Sequence, residues 1–286
     1  MSHRNRVQGK RSRVEKRLDF DDVIYGIHAV EEALNAGEAL RAVHVANDRK
    51  KDPPLRKLLD RARELNLRVH FEDRPFFAQL PFKAHQGVIA IAPPFPYAGL
   101  HDVLRKRHDG PLLFVVLDHL TDPHNVGAIL RTAECVGADA VILPERRSAG
   151  VNATVRKAAA GATAYLPVVR VGNIADTIRQ LKQARIWVVG ADAGEDARLM
   201  SEADLNTDLA LVIGAEGSGL APLVKRECDY LVRIPMRGKL ASLNASVAAG
   251  VLLYEVLRQR TSRDGALFIL DAEGAPFYTQ EDMPRP

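Results

Sequence analysis

Apolar positions are arranged in two different ways along this chain, with the change near Leu112. Before it they alternate with polar residues or recur at helical spacing. Ile27 to Asn35 (IHAVEEALN) has the helical period, and RAVHVAND from Arg41 alternates as a strand. Pro53 and Pro54 open a second helix, LRKLLDRARELN, after which RVHFED and HQGVIAIAPP read as two further strands. Together these make a small α/β unit of roughly 70 residues, enough to fold alone. Prolines at 93, 94 and 96 followed by Tyr97, Ala98 and Gly99 predict a stiff linker, with the domain boundary there.

From Leu112 the strands are short and continuously apolar: LLFVVL, AVIL, AYLPVV, WVVGAD, LALVIG and YLVRIP. Strands buried on both faces read this way, which predicts an α/β domain with a largely parallel sheet covered by helices. Helical stretches fall at Asn125 to Val136, Asn152 to Ala162 and Asn173 to Ala184. In the first, Val126, Ile129, Leu130, Ala133 and Val136 share a face, Asn125 is expected at the N-cap and Gly137 just past the end. Arg131 is left off the apolar stripe. The expected organisation is a basic tail over 1–22, a small domain over 23–93, a linker over 94–110, a large domain over 111–262 and a tail over 263–286.

Composition narrows the class without choosing a function. The 286 residues are 47% hydrophobic and 27% charged, as in soluble globular proteins. No apolar run approaches the ~20 residues that span a bilayer, so the chain reads as cytosolic with no membrane partner. Cys135 and Cys228 lack a CxxC neighbour and read as reduced structural residues. The net charge of +4 is mild, but Arg4, Arg6, Lys10, Arg11, Arg13, Lys16 and Arg17 face only Glu15 and Asp19. Such a tail either solubilises the protein or serves as a flexible arm for nucleic-acid phosphates.

Candidate chemistry gathers at strand ends, where open α/β sheets bind ligands. LDHLTDPHNVGAILR (Asp118 to Arg131) carries a turn former, a glycine and a fixed cation, and LVIGAEGSGL (Leu211 to Leu220) runs into glycines around Glu216. WVVGADAG ends in small residues at Gly194, and a polar loop from Arg237 to Asn244 precedes an Ala- and Val-rich helix. Strand ends opening onto small residues predict a pocket walled by backbone, suited to a flat nucleoside-containing ligand. Arg146, Arg147, Arg156, Lys157, Arg237 and Lys239 surround it and favour a polyanionic substrate such as RNA. Asp118, His119, Asp122 and His124 match no metal-ligand spacing, and no metal is expected. The missing GxGxxG counts against a dinucleotide-binding dehydrogenase.

Asp118-x-x-x-Asp122-Pro123-x-Asn125-x-Gly127-x-x-x-Arg131, then Gly214-Ala215-Glu216-Gly217, then Ile234-Pro235-Met236 with Ser242-Leu243-Asn244-x-Ser246 resemble the three ordered motifs of the SpoU (TrmH-like) branch of the SPOUT RNA methyltransferases. YGIHAVEEAL and HQGVIAIAPP are similar to the small RNA-binding domain many members carry, so the resemblance spans about Tyr25 to Arg260. NATVRKAAAGA followed by VVRVGN most resembles the bacterial subgroup that methylates a guanosine 2'-hydroxyl in large-subunit ribosomal RNA. Ala245 stands where the family more often has Val, and both tails fall outside the pattern. The resemblance implies a C-terminal trefoil knot, S-adenosylmethionine bound in its bend, and a homodimer completing the site. It assigns Gly214, Ile234 and Leu243 to cofactor contact with Met236, Gly194 and Ala245 as neighbours, and places Asn125, Arg131, Glu216, Ser242 and Asn244 on catalytic positions. The family gives Arg131 the task of activating the ribose hydroxyl. An ordinary Arg keeps its proton and is no base, which favours a stabilising role. A transfer-RNA methyltransferase of the same branch and a non-catalytic RNA-binding relic are the alternatives.

Overall fold

The computed structural model describes residues 20–106, 110–239 and 242–264. Residues 1–19 of the expected basic tail and 265–286 of the expected C-terminal tail lie outside the described residues, whereas Phe20–Asp22 form a short 3-10 turn and the last helix runs on to Asp264.

Four strands, β1 (Val23–Tyr25), β2 (Ala42–Ala46), β3 (Arg68–Glu72) and β4 (Val88–Ile91), form a sheet in the order β1-β4-β2-β3. Helices α1 (Ile27–Asn35) and α2 (Pro53–Glu64) cover one face. Their stripes, Val30, Ala33 and Leu34 with Leu55, Leu58 and Ala62, bury against Val43, Val45 and Ala90. The other face takes the short helix α3 (Arg74–Ala78), through Phe77, with Tyr25 and Ile89. Sequence periodicity missed β1 and α3 because three and five residues are too few to display a period.

The large sheet holds β5 (Leu113–Asp118), β6 (Ala140–Pro144), β7 (Val168–Val171), β8 (Trp187–Ala191), β9 (Arg198–Leu199), β10 (Leu209–Gly214) and β11 (Tyr230–Arg233). Its order is β7-β6-β5-β10-β8-β11-β9, and each of these pairings is parallel. Its helices are α4 (Leu100–Arg105), α5 (Pro123–Cys135), α6 (Ala153–Ala159), α7 (Ile174–Gln183), α8 (Pro222–Glu227) and α9 (Ala245–Asp264). Along β5, Leu113, Val115 and Leu117 pack towards α5, α6 and α9, while Phe114 and Val116 pack towards α4, α7 and α8. Burial on both faces is why these strands read as unbroken apolar runs.

Two details differ from expectation. The cap of α5 is Asp122, whose carboxylate accepts the His124 N–H at 2.9 Å, because Pro123 occupies the first helical position, where a missing N–H costs nothing. Asn125 therefore lies inside the first turn. The proline-rich segment is tied to the large domain: Ala98 N–H donates to Val168 O at 2.9 Å, Tyr97 Oη accepts from Val151 N–H at 2.9 Å, and α4 follows at once.

Candidate functional site

Because the large sheet is parallel, β8, β10 and β11 all deliver their carboxyl ends to one edge, where a cavity of about 290 Å³ opens. The turn after β10 forms its floor and folds back on itself, with Ala215 N–H on Gly219 O at 3.1 Å and Gly219 N–H on Ala215 O at 2.8 Å. A Cβ on Gly214 would stand 2.3 Å from the Gly219 carbonyl carbon, so no other residue fits there. Asp192, beyond β8, accepts the Gly194 N–H at 2.8 Å and pairs with Lys225 at 3.0 Å. Ile234 and Met236 enter from β11, and Ala245, Ala248 and Leu252 from α9 close the far wall.

All six positions assigned to cofactor contact, Gly194, Gly214, Ile234, Met236, Leu243 and Ala245, line this cavity, as do Glu216 and Ser242. Its walls fit the expected ligand. Ile213, Val232, Ile234 and Leu243 offer apolar surface to a flat ring, and the backbone of 214–219 offers N–H and C=O groups at its edge.

Asn244 joins three segments beside the cavity. Its Oδ1 accepts from Ser246 N at 3.0 Å and Ser246 Oγ at 2.6 Å, capping α9. That fixes the amide, and its Nδ2 donates to Asn125 Oδ1 at 3.0 Å and Glu216 Oε2 at 3.3 Å. Residues from α5, from the turn after β10 and from the start of α9 thus share one hydrogen-bonded junction. Asn125 is buried, whereas Arg131, farther along α5, is exposed and makes no hydrogen bond or ion pair among the described residues.

Two acids escaped the sequence reading as site-builders. Asp118, 1% exposed at the end of β5, accepts the Ala221 N–H at 2.6 Å and meets His119 Nδ1 at 2.5 Å, so it anchors the exit of the glycine-rich turn. Asp192 holds the Gly194 turn. A carboxylate directly after an apolar strand is the signal that could have found both.

The six cations separate into two groups. Arg146 and Arg147, just past β6, and Arg237 and Lys239, past β11, are exposed at the same sheet edge. Arg156 and Lys157 are elsewhere, and the burial of Arg156 corrects its expected place among RNA contacts. Arg156 is 3% exposed, pairs with Glu38 of the small domain at 3.2 Å, and lies 5.2 Å from the Phe95 ring centroid. Lys157 sits 5.8 Å from the Tyr25 ring. Both face the small domain because α6 packs against β1 and its flanking turn. Gly127 lets α6 approach the α5 backbone closely: a Cβ there would stand 2.4 Å from the Ala158 Cβ.

Residues 112–254 match the SpoU rRNA methylase family, and residues 23–98 match the domain described as RNA 2'-O ribose methyltransferase substrate binding. The 23S rRNA (guanosine-2'-O-)-methyltransferase RlmB of Pseudomonas aeruginosa is 43% identical over 241 residues, 83% of this chain and 96% of that one. A putative TrmH family tRNA/rRNA methyltransferase of Bacillus subtilis, YacO, is 42% identical over 244 residues, 84% of this chain and 96% of its own. Among solved structures, the SpoU methyltransferase AviRb of Streptomyces viridochromogenes in complex with AdoMet superposes with a TM-score of 0.71 at 29% identity, covering 84% of this chain and 90% of that one.

Proposed function

The chain belongs to the SpoU methylase family, and from that premise we propose that it is an S-adenosylmethionine-dependent methyltransferase acting on the 2'-hydroxyl of a guanosine in large-subunit ribosomal RNA. The observation that carries this reading is the Asn125–Asn244–Glu216 junction set against a backbone-walled cavity at the carboxyl edge of a parallel sheet. S-adenosylmethionine, when bound there, supplies a methyl group on a sulfonium that leaves as a neutral thioether.

The residues of the chain have two tasks, to orient the ribose oxygen towards the methyl group and to stabilise the negative charge that grows on it as its proton passes to solvent water. Arg131 suits the second. It is exposed, permanently charged and carried on the helix that Asn125 anchors. In this reading Asn244, its amide fixed by the helix cap, holds Asn125 and Glu216 so that the polar rim keeps its shape while the hydroxyl is aligned. Ser242 and Leu243 belong to the same rim, and Arg146, Arg147, Arg237 and Lys239 provide the phosphate-attracting surround.

The proposal includes the trefoil knot and the homodimer. The knot is supported by residues 213–219, 232–236 and 242–252 closing on one cavity. The dimer is supported by α9, which buries Ala249, Leu252, Leu253 and Val256 but leaves Val247 51% and Tyr254 55% exposed. Val251→Asp, on the same face of α9 as Val247 and Tyr254, should yield a monomer with its cofactor site impaired; a stable, active dimer carrying it overturns that part. The proposed site of action, on ribosomal RNA, is the cytoplasm; no helix of the described residues is long and apolar enough to cross a membrane.

The deciding experiment is methylation of unmodified ribosomal RNA by the purified protein, with the product mapped by resistance to alkaline cleavage. A protected guanosine linkage in the large-subunit RNA is the expected result. Transfer only to transfer RNA would assign the other substrate class, and no transfer with retained RNA binding would make the protein a non-catalytic relic.

A further inference from the structure

A second cavity, of about 310 Å³, opens in the small domain where β2 ends and residues 85–87 cross before β4. Arg49, Arg74, Phe77 and His85 contribute to its lining, together with Asp48. Phe77 is buried, and its ring stacks on His85 with centroids 5.0 Å apart. From there the rings continue across the sheet. Phe77 meets Phe76 edge-on at 5.2 Å, Phe76 stacks on His44 at 5.2 Å, and His44 stacks on His70 at 4.7 Å. Phe76 and His85 are half-buried and His70 is exposed, so the series runs from the cavity out to solvent. A core needs apolar side chains, and a row of imidazoles opening to water does not serve it.

The chemistry of these groups is consistent with one ligand class. Burial lowers the pKa of both His44 and His85 from the ordinary histidine value, so at neutral pH their rings are uncharged aromatic surfaces. His85 Nδ1 accepts the Gly87 N–H at 2.9 Å, which leaves the proton of the neutral ring on Nε2 as a donor. Arg74 is 89% exposed, and its contact is Asp48 at 3.2 Å, itself 51% exposed. Such a surface pair holds little energy, so a phosphate can displace it. Of the other acids beside the rings, Asp52 is engaged by Arg49 at 2.6 Å, Asp73 by Asn47 at 2.5 Å and Glu72 by His44 Nδ1 at 2.9 Å, while Lys50, Lys51 and Lys83 are exposed. A ring platform beside exposed cations is how proteins take unstacked bases and their phosphates from single-stranded RNA. An acidic peptide would use the cations and leave the rings without a role.

We propose that this cavity binds one unstacked nucleotide of the RNA substrate, with the base against Phe77 and His85, the phosphate on Arg74, and His70 and Phe76 receiving a neighbouring base. The site lies in the segment matched as substrate binding, and it deepens the RNA-methyltransferase reading by naming where substrate is gripped outside the reaction centre.

The test uses the full chain with in vitro transcribed large-subunit ribosomal RNA. Arg74→Glu, at a position too exposed to threaten folding, should raise the KM for RNA about tenfold or more, and His85→Ala about fivefold, in line with the loss of a phosphate contact and of one stacked base. The kcat at saturating RNA and the affinity for S-adenosylmethionine should stay at wild-type values in both. A transcript carrying 4-thiouridine should cross-link to the peptide spanning 74–87. RNA KM values within twofold of wild type, or cross-links confined to the large domain, would overturn the proposal. Should the wild type transfer no methyl group, direct RNA binding still decides the matter. Weaker binding by Arg74→Glu keeps the nucleotide site while the enzymatic reading fails, and equal binding rejects the site.

Discussion

The carboxyl edge of the large sheet and the seam between the two domains are built from similar materials with opposite results. Each presents an asparagine-capped helix, small residues and polar groups drawn from separated parts of the chain. At the edge, Asn125, Glu216 and Asn244 tie three segments together around open space. At the seam, Arg156 from α6 meets Glu38 and Phe95, and the space is filled. The electrostatics separate them further. Burial lowers the pKa of Arg156 and raises that of Glu38, each against the attraction of its partner. Both shifts disfavour charge, so at the seam desolvation outweighs Coulomb attraction and the pair fixes orientation more than it stabilises. Polar residues make a site where the topology leaves a vacancy beside them, and a joint where a second surface fills it.

The sharpest way to break this comparison is at Arg131. Replacement by Ala should lower kcat by about 10² to 10³, the usual cost of losing one donor to developing charge. Binding of S-adenosylmethionine, read by calorimetry, should persist, because Arg131 is not among the residues lining the cavity. Loss of cofactor binding along with activity would turn Arg131 into a residue of the fold and erase the contrast with Arg156.

Arg156→Ala comes next and should behave in the opposite manner. It strands Glu38 in a partly buried seam and should cost roughly 3 kcal/mol of stability by thermal or denaturant unfolding. S-adenosylmethionine affinity measured on the folded fraction should be unchanged. A smaller effect is expected when both partners go: Glu38→Leu with Arg156→Met should be neutral or stabilising by about 1 kcal/mol. If the double variant is as unstable as the single one, the pair is a true stabiliser and the desolvation argument fails.

How much of this was legible in the sequence follows from the same physics. The large sheet could be read because two-sided burial writes itself as unbroken apolar runs, and α1 matched its expected bounds because its stripe is strongly periodic. The cofactor positions were named from the motif resemblance and all reach one cavity, since strands of a parallel sheet deliver their ends to one edge. Other features mislead or, like β1 and α3, leave no mark. Asn125 looked like a cap because asparagine is a strong cap former, although Pro123, favoured at the first helical position, places the cap on Asp122. Arg156 looked like an RNA contact because a helix with basic residues carries no mark of which domain will lie on it. The ring series of the small domain joins residues 44, 70, 76, 77 and 85, whose juxtaposition appears only once β2, β3 and α3 are in place.

The smallest predicted effect tests whether acid opens the seam. The ordinary expectation is that protonating Glu38 breaks the pair with Arg156 and loosens the small domain. The sign is the reverse, because the folded pKa of Glu38 is raised above its ordinary value, chiefly by burial. The folded state then binds the proton more tightly than the unfolded one, so this group's contribution is fully present below the ordinary glutamate value and is lost as pH rises through the folded pKa. His44 and His85 act in the other direction. Their folded pKa values are lowered, so their contribution is present above the ordinary histidine value and is lost as pH falls. Any loosening of the small domain below about pH 6.5 should therefore trace to the histidines. Unfolding of wild type and Glu38→Gln compared between pH 7 and 4.5 isolates the glutamate. The wild type should gain relative to the variant as pH falls, and a relative loss would show that the attraction of Arg156 outweighs burial at the seam after all.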